Sequence, residues 1–218
     1  MKIVFVLVIA LIVISAAQAA DYSIALRSNY VGSVSGIAFH EGPVVQGCAT
    51  YPIGTGYAGI WFSAASGQED GADEIDFFAG KSFGTIDCGV YYYALEPIKR
   101  SDGDIVAPYI NWNPVVKGSL KPFLHIENDF SMEGLKGGFM YSGGVKTAIG
   151  KTSIMLSLGG HPKAFGVPAE PVAFVAIEGS ILVGGVDVSL RLQKATGNSG
   201  GFAEDHATVS ISKSFTAR

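Results

Sequence analysis

The chain has 218 residues, a formal net charge of −4 and only 16% charged side chains. An acidic balance without any run of lysine or arginine argues against nucleic acid as a partner, because phosphate binding needs clustered basic residues. Soluble domains usually carry about a quarter charged residues. The shortage of charge therefore favours a protein whose outer face meets lipid.

The first 19 residues have the pattern of a secretory signal peptide. Met1-Lys2 is a short basic start, an apolar run follows from Ile3 to Ile14, and Ala17-Gln18-Ala19 fits the small-x-small cleavage rule. The apolar run is too short for a stable membrane-spanning helix. We expect cleavage after Ala19 and export, with an uncleaved membrane anchor as the alternative. Residues 20–218 are then expected to form a single domain.

The rest of the chain alternates apolar and polar side chains with the period of two that is typical of β-strands. Glycine, proline, asparagine and aspartate interrupt this alternation at intervals. The predicted strands, in chain order, are Asp21–Asn29, Pro43–Tyr51, Gly56–Ser66, Asp73–Phe83, Ile86–Leu95, Ile105–Trp112, Ser119–Asn128, Lys136–Thr147, Thr152–Gly159, Val172–Ile177, a strand that ends with Val186–Gln193, and His206–Phe215.

The connections between these strands are alternately long and short. Tight periplasmic turns and longer outer loops are typical of an up-and-down β-barrel in an outer membrane. The sequence therefore predicts an all-β, antiparallel transmembrane barrel of about twelve strands with both termini in the periplasm. Ten strands is the alternative, because the boundaries between the eighth and ninth predicted strands and between the tenth and eleventh, with its turn near 178–180, are weakly delimited. Gly143-Gly144 and Gly184-Gly185 are expected inside strands.

Three residues fit a closed barrel poorly. Pro108 and Pro122 fall inside predicted strands, although proline cannot donate a hydrogen bond to a neighbouring strand. We expect them at strand ends or bulges, and an error in the predicted register at these two positions is the alternative. Lys81 falls on the predicted lipid face, where its position beside the Gly84-Thr85 turn indicates the membrane interface.

Several segments resemble the TorF-type family of small bacterial outer-membrane proteins. The segments are SNYVGSVSG at 28–36, PVVQG at 43–47, GYAGIWFS at 56–63, EIDFFAGKSFG to DCGVYYYALEP at 74–97, and ATVSISKSF at 207–215. The chain departs from the family pattern where Tyr30-Val31 lacks the usual Arg-Gly pair, and where Thr-Ala-Arg follows Phe215. The resemblance implies a small barrel with no established chemistry, and it supplies no catalytic residues.

The sequence offers no pattern for catalysis, for a cofactor or for a metal. His40, His125, His161 and His206 have no metal-ligand spacing, and solvated surface is the expected place for those in or beside loops. The acidic segment 68–74 lacks the alternating ligands of a calcium loop. We therefore expect that the protein is not an enzyme.

The two cysteines are expected to be free. Cys48 shares a strand face with Gln46, whereas Cys88 shares one with Ile86 and Val90. If the first face is the lumen and the second the lipid side, the two thiols cannot form a disulfide.

Charged and polar residues recur on the strand faces opposite the apolar ones. In a membrane barrel such side chains must point inward or pair, because charges are costly in hydrocarbon. The candidate lumen-lining residues are Arg27, Gln46, Glu74, Asp76, Asp87, Lys121, His125, Glu127, Asp187, Arg191 and Gln193. Either these residues line a narrow polar channel, or the arginines and lysine pair with the carboxylates in a filled interior.

Six aromatic residues are candidates for the girdles that flank the apolar band of a membrane barrel. Interfaces between membrane and water favour tyrosine and tryptophan. The candidates are Tyr22, Trp61, Tyr92, Tyr109, Trp112 and Phe215. Aromatic residues of an ordinary β-core are the alternative for any one of them.

Three functions follow from these patterns. The first is a passive, porin-like channel for small solutes or ions. The second is a barrel with a filled interior whose long loops have a structural or surface-interaction role. The third is a soluble secreted β-sandwich that binds a ligand. The partners implied by the first two are outer-membrane lipid and the barrel-assembly machinery, and the sequence does not specify a substrate.

Overall fold

The computed structural model describes residues 21–32, 38–65, 73–94, 104–131, 138–163, 171–196 and 205–216. These residues form β1 (Asp21–Arg27), β2 (Tyr30–Val31), β3 (Ala38–His40), β4 (Val44–Ile53), β5 (Gly56–Ala65), β6 (Glu74–Phe83), β7 (Ile86–Tyr93), β8 (Ile105–Trp112), β9 (Lys121–Ser131), β10 (Gly138–Ile149), β11 (Thr152–Lys163), β12 (Val172–Val183), β13 (Val186–Thr196) and β14 (His206–Thr216). Across these ranges, no helix has both the length and the apolar character needed to cross a membrane.

Twelve of the strands, β1 and β4 to β14, form a closed antiparallel barrel. Strands that follow one another in the chain lie side by side, and β1 closes the ring by pairing with both β14 and β4. In this closure Asp21 lies opposite Thr216 on one side and Thr50 on the other. The predicted up-and-down barrel of twelve strands is confirmed. The ten-strand alternative and the β-sandwich are wrong, because every strand edge of the ring is paired.

One end of the barrel carries tight turns, and we name it the turn end. Gly54, Gly84 and Gly150 lie in these turns with φ of 58°, 64° and 63°. Such left-handed backbone suits glycine, which has no Cβ to clash. The first residue of β1 and the last of β14 lie at this end too, since they are paired. The opposite end, where the longer connections join the strands, is named the loop end.

The turn between β12 and β13 is not where the sequence predicts it. The predicted turn at 178–180 is wrong, because Glu178, Gly179 and Ser180 are paired on both sides within β12. The chain reverses instead at Gly184-Gly185, with φ of 60° and 81°. The two glycines expected inside a strand thus form the turn, and β12 has twelve residues.

The outer face of the barrel is a band of exposed aliphatic and aromatic side chains. In β12, Val175 and Ile177 are exposed, whereas the alternate residues Phe174 and Ala176 are buried. This alternation is what a strand with one face toward an interior produces. Soluble proteins rarely expose a continuous apolar surface of this extent. The outer face is therefore suited to contact with lipid.

The irregular residues lie on this outer face. Pro108 pairs with Val90 on one side, but β8 and β9 have no paired residues at Ala107 and Pro108, because the proline removes a donor. Pro122 lies opposite Val145 near the start of β9. Lys81 is exposed close to the turn end, and its ammonium lies 5.1 Å from the centre of the Phe83 ring.

Candidate lumen

Register places all eleven candidate lumen residues on the inner face of the barrel. Hydrogen bonds that skip a strand identify this face, since they can run only through the interior. The Tyr57 hydroxyl of β5 donates to Asp87 of β7 over 2.6 Å, and the Tyr93 hydroxyl of β7 donates to Glu127 of β9 over 2.5 Å. The residues on this face are Arg27, Gln46, Glu74, Asp76, Asp87, Lys121, His125, Glu127, Asp187, Arg191 and Gln193.

Asp87 is the centre of a hydrogen-bond cluster near the turn end. Its carboxylate accepts bonds from Tyr57 at 2.6 Å, from Ser82 at 3.0 Å and from the Asn111 amide at 3.3 Å. The hydroxyls of Tyr57 and Tyr109 are also bonded to each other. Asp87 is half-buried, so these donors replace part of the water that its carboxylate has lost.

His125 links this cluster to a second carboxylate. One ring nitrogen lies 2.6 Å from the Asn111 oxygen, and the other lies 3.0 Å from Glu127. Glu127 also accepts the hydroxyl of Tyr93. A continuous chain of hydrogen bonds therefore runs along the inner face, from Ser82 near the end of β6 to the middle of β9.

The inner face of β5 to β9 is both aromatic and acidic, and we name it the aromatic–acid wall. Ring centroids are 4.6 Å apart for Tyr91 and Tyr109, and 5.9 Å apart for Phe78 and Tyr91. The wall consists of the rings of Tyr57, Trp61, Phe78, Tyr91, Tyr93 and Tyr109 and the carboxylates of Glu74, Asp76, Asp87, Glu127 and Asp129.

Two of the six girdle candidates belong to this wall, so their predicted position was wrong. Trp61 lies opposite Cys48 and Asp76 on the inner face, and Tyr109 is only 3% exposed. The alternation along the strand decides whether a side chain points to the inner or the outer face of the barrel, whatever its residue type. Tyr22 and Phe215 do lie on the outer face, stacked at 5.4 Å, and Tyr92 and Trp112 lie there as well.

The opposite side of the interior carries small hydroxyl side chains. Ser153 of β11 pairs with Ser180 of β12, which pairs with Ser189 of β13, which pairs with Ser210 of β14. We name these four residues the serine row. Ser210 lies beside Arg27 of β1, so the row ends at a cation.

Arg191, the second arginine of the interior, is held by its neighbours. One guanidinium nitrogen lies 3.8 Å from Glu178, another donates to Gln193 over 3.2 Å, and the guanidinium lies 5.6 Å from the centre of the Phe174 ring. Arginine stacked and paired in this way is fixed in direction. The carboxylate of Glu178 partly offsets the positive charge of Arg191.

A short hairpin of β2 and β3 narrows the loop end. The Asn29 amide donates to the Ala207 carbonyl and accepts from Thr208 over 2.6 Å, which ties the start of the hairpin to β14. Across the barrel, the Tyr30 hydroxyl donates to Glu74 over 2.7 Å, and its ring lies 5.8 Å from Trp61. The hairpin therefore reaches over β1 and β4 to the inner face of β5 and β6.

The interior is tighter toward the loop end than toward the turn end. Gln46, Glu127 and Gln193 are buried, whereas Lys121 and Ser153 near the turn end are exposed. The hairpin contributes side chains to the loop half, whereas the serine row contributes only short side chains to the turn half.

The histidines depart from the expected solvated surface. His161 lies in β11 rather than in a loop and is 1% exposed, and neither ring nitrogen has a hydrogen-bond partner. His40 of β3 is buried as well. In the sequence, Gly159-Gly160 and the prolines that follow interrupt the alternation of apolar and polar residues. The predicted strand therefore ended before His161. His125 is the histidine that joins the hydrogen-bond chain of the wall.

The two cysteines lie on opposite faces of the barrel wall. Cys48 lies on the inner face and Cys88 on the outer face, and both are free as predicted. Within the described ranges, no three histidine, cysteine, aspartate or glutamate side chains are arranged to hold a metal ion. Residues 68–72 of the acidic segment lie outside the described residues. The last residue of the segment, Glu74, belongs to the aromatic–acid wall.

The sequence missed several members of the wall. Asp129 lies on the same strand face as His125 and Glu127, but the predicted strand ended at Asn128, three residues before β9 ends at Ser131. Tyr30 was missed because two-residue strands leave no periodic pattern. Tyr57, Tyr91 and Tyr93 already alternate with apolar residues in the sequence, and that parity is the signal that could have found them.

No protein-family model matches the chain, and no curated protein matches it. Solved structures match it in fold. KdgM porin in complex with disordered oligogalacturonate has a TM-score of 0.60 at 11% identity, over 91% of this chain and 99% of the porin. NanC porin has 0.57 at 9%, over 90% and 98%. The chain has the fold of these porins. An outer-membrane channel from Pseudomonas putida F1 has 0.56 at 9%, over 92% and 96%.

Proposed function

We propose that this protein is a bacterial outer-membrane barrel that forms a narrow, passive, porin-like channel. The observation that carries the proposal is the closed ring of twelve strands, apolar outside and charged inside. A bilayer accepts a sheet only when no strand edge is left unpaired. A polar interior inside such a ring is the arrangement through which water-soluble molecules cross.

Further parts of the proposal concern export and orientation. The first 19 residues act as a cleaved signal peptide, and the barrel-assembly machinery inserts the remaining chain with the turn end toward the periplasm. The twelve-strand porin fold and the quoted motifs support membership of the TorF-type family. The barrel catalyses no reaction, and its eleven candidate residues line the passage.

Membrane insertion is tested first by extraction and by gel migration. We expect the protein to need detergent, and its folded form to migrate differently in a gel before and after boiling, because closed barrels resist detergent until heated. A protein that stays soluble in buffer after signal cleavage would contradict the proposal.

The channel itself is tested by single-channel conductance in planar bilayers, with Tyr30→Ala as the informative variant. The Tyr30 ring lies between the hairpin and the inner residues Trp61 and Glu74, so its removal should widen the narrow half and raise the conductance. Tyr51→Ala is the matched control, because Tyr51 lies on the outer face of β4. Folded protein without any conductance would exclude the channel.

The second candidate is a barrel with a filled interior that works through its loops. The burial of Gln46, Glu127 and Gln193 favours it, because water has little access to the loop half. In that case neither the wild type nor Tyr30→Ala conducts, although both show heat-dependent migration. The two functions therefore separate in one set of recordings.

A further inference from the structure

We propose that the inner face of β1, β13 and β14 binds one small carboxylate with a single negative charge, between Arg27 and Arg191. The inference rests on the proposed function in one respect, because a solute must enter the interior to meet these side chains. It adds a solute class that the fold does not specify.

Arg27 is a cation without a partner inside the barrel. It lies on the inner face between Ser210 of β14 and Val44 of β4, and neither of these residues carries a charge. Its Nε is buried and has no hydrogen-bond partner, and no described side chain forms an ion pair with its guanidinium. Charged groups inside proteins are normally paired or hydrogen-bonded, so Arg27 is suited to an anion that is not part of the chain.

Arg191 places a second guanidinium on the same side of the interior. It lies opposite Thr208 of β14, and the like charges of Arg27 and Arg191 are close enough to act on each other. Arg191 is 9% exposed, and its Nε is also buried without a partner. Two positive charges that approach each other away from bulk water repel, and an anion between them is attracted by both.

The neighbours of Arg191 determine how much negative charge the site can accept. One of its terminal nitrogens lies 3.8 Å from Glu178, and the other donates to Gln193. Glu178 therefore offsets one of the two positive charges, and one remains for a bound anion. A dianion such as phosphate would also be repelled by the Glu178 carboxylate. The site therefore favours a monoanion.

The donors of the site match the shape of a carboxylate. A guanidinium presents parallel N–H groups that bind both oxygens of a planar carboxylate, whereas a spherical halide ion cannot use this geometry. The Ser210 side chain lies beside Arg27 on the same face, and its hydroxyl is a further donor. Arg27 is half-buried, so part of its side chain meets the interior space. A small carboxylate can therefore reach it.

Asp187 is the candidate within the chain for a partner of Arg27. It lies opposite Ser212, which lies opposite Ala25, two residues before Arg27. Its Oδ1 is buried and has no hydrogen-bond partner, and the structure contains no ion pair between Asp187 and Arg27. Removing this carboxylate therefore tests whether the protein itself competes with the solute.

Binding is tested by fluorine NMR of small probes added to folded, detergent-solubilised protein, with empty micelles as background. The probes are trifluoroacetate as monoanionic carboxylate, trifluoroacetamide as its neutral analogue and fluorophosphate as dianion. We expect the trifluoroacetate signal to broaden saturably and acetate to reverse this effect. Equal broadening of trifluoroacetamide, or tighter binding of fluorophosphate, overturns the inference.

Substitutions show whether Arg27 is responsible. Arg27→Gln should weaken trifluoroacetate binding about tenfold or more, as the loss of charge-assisted hydrogen bonds implies. Lys146→Gln is the matched control, because it removes an equal inward charge from an exposed position near the turn end. Equal weakening by the two variants would show that binding follows net charge and overturns the inference. If Arg27→Gln does not fold, Arg27→Lys decides, since it keeps the charge and loses the parallel donors.

Asp187→Asn should change trifluoroacetate binding less than about threefold, because Asp187 does not pair with Arg27. Binding that becomes about tenfold tighter would show that Asp187 occupies Arg27 in the wild type, and the inference would fail.

Stability without any ligand gives a second readout. Arg27→Gln removes a cation that has no partner, so its urea midpoint should not fall below that of the wild type. Arg191→Gln leaves Glu178 without its cation, so its midpoint should fall. A lower midpoint for Arg27→Gln would show that Arg27 has a partner within the protein and would reject the site.

The outcome separates the carboxylate site from the channel. Conductance without saturable trifluoroacetate binding leaves the proposed function standing and rejects the site. Saturable binding that depends on Arg27, without conductance, rejects the channel and supports the site, because binding requires entry into the interior and not passage through it.

Discussion

Gly144 of β10 lies against the backbone of β11 on the inner face. A Cβ at this position would come within 2.0 Å of the Leu156 carbonyl oxygen and 2.9 Å of the Ser157 Cα. Neither atom belongs to a flexible side chain, so the two strands would have to separate locally. The glycine is thus required by the spacing of the strands and not by its own φ.

This contact gives a prediction for single residues. We expect Gly144→Ala to lower the free energy of unfolding by about 1–3 kcal/mol, the usual cost of overpacking. Gly179→Ala is the matched control, because a Cβ there meets no atom within 4 Å. Urea unfolding of both variants in detergent, followed by fluorescence, measures the difference. Equal stability of the two variants would show that the strands adjust without strain.

Whether a residue's position along its strand is odd or even decides its face of the barrel. This alternation explains for which residues the face could be predicted. Glu74, Asp76 and Asp87 were assigned to the inner face from the alternation alone, and register agrees. Trp61 and Tyr109 were misassigned because their type, suited to a membrane interface, was given more weight than their parity. The unpartnered Nε of Arg27 depends on side-chain positions across several strands, which no local pattern contains.

The outer-face residues of one strand lie at different depths across the barrel wall. Leu156 lies in the middle of β11 and is 50% exposed, whereas Val183 lies at the end of β12 beside the Gly184-Gly185 turn. If the band lies in a bilayer, the first is deep in hydrocarbon and the second is at the interface.

We therefore expect the cost of a charge to depend on its position along the strand. Leu156→Arg should destabilise the folded barrel by about 2–4 kcal/mol, and Val183→Arg by about 0–1 kcal/mol, as for lipid-facing arginine at the midplane and near the interface. Unfolding in lipid vesicles measures both. The prediction fails if the two arginines cost the same.

Strand ends were harder to predict than strands. The long run of β12 and β13 contains Gly179, Gly184 and Gly185, and the sequence does not show which glycine adopts the left-handed backbone. The β2–β3 hairpin was missed because its strands have two and three residues, and its position depends on contacts with Glu74 and Thr208 far along the chain.

Closure between the first and last strands is a property of the whole molecule. Tyr22 and Phe215 stack across the β1–β14 pair with centroids 5.4 Å apart and planes at 23°. Because this contact joins the two ends of the chain, it can form only when the ring is complete.

A double-mutant cycle tests the contribution of this contact. Replacing Tyr22 and Phe215 by alanine, singly and together, should reveal a coupling energy of about 0.5–1.5 kcal/mol, the range for aromatic pairs. The pair Phe77 and Phe215, on distant strands, should be additive and serves as control. Heat-dependent gel migration confirms that each variant has closed. Additive effects for the Tyr22–Phe215 pair would contradict a stabilising stack.

The count of strands was predictable because the alternation of long and short connections is a global pattern, and an even number follows from it. The two-sided interior was not, because it arises from which strands lie opposite each other in the closed ring. β7 and β13 are on opposite sides of the ring, and they face each other across the interior only because the ring closes.

The serine row on β11 to β14 has a consequence for the hydration of whatever passes. Serine hydroxyls donate and accept hydrogen bonds and can rotate, so they can hold the water around an ion. The faces of the rings opposite cannot, and the hydroxyls of Tyr57, Tyr93 and Tyr109 are already bonded to carboxylates or to each other. An ion between the two sides would lose its water on one side only. A passage of this kind would favour ions that lose part of their hydration shell easily. Strongly hydrated ions such as Mg²⁺ would pass less readily.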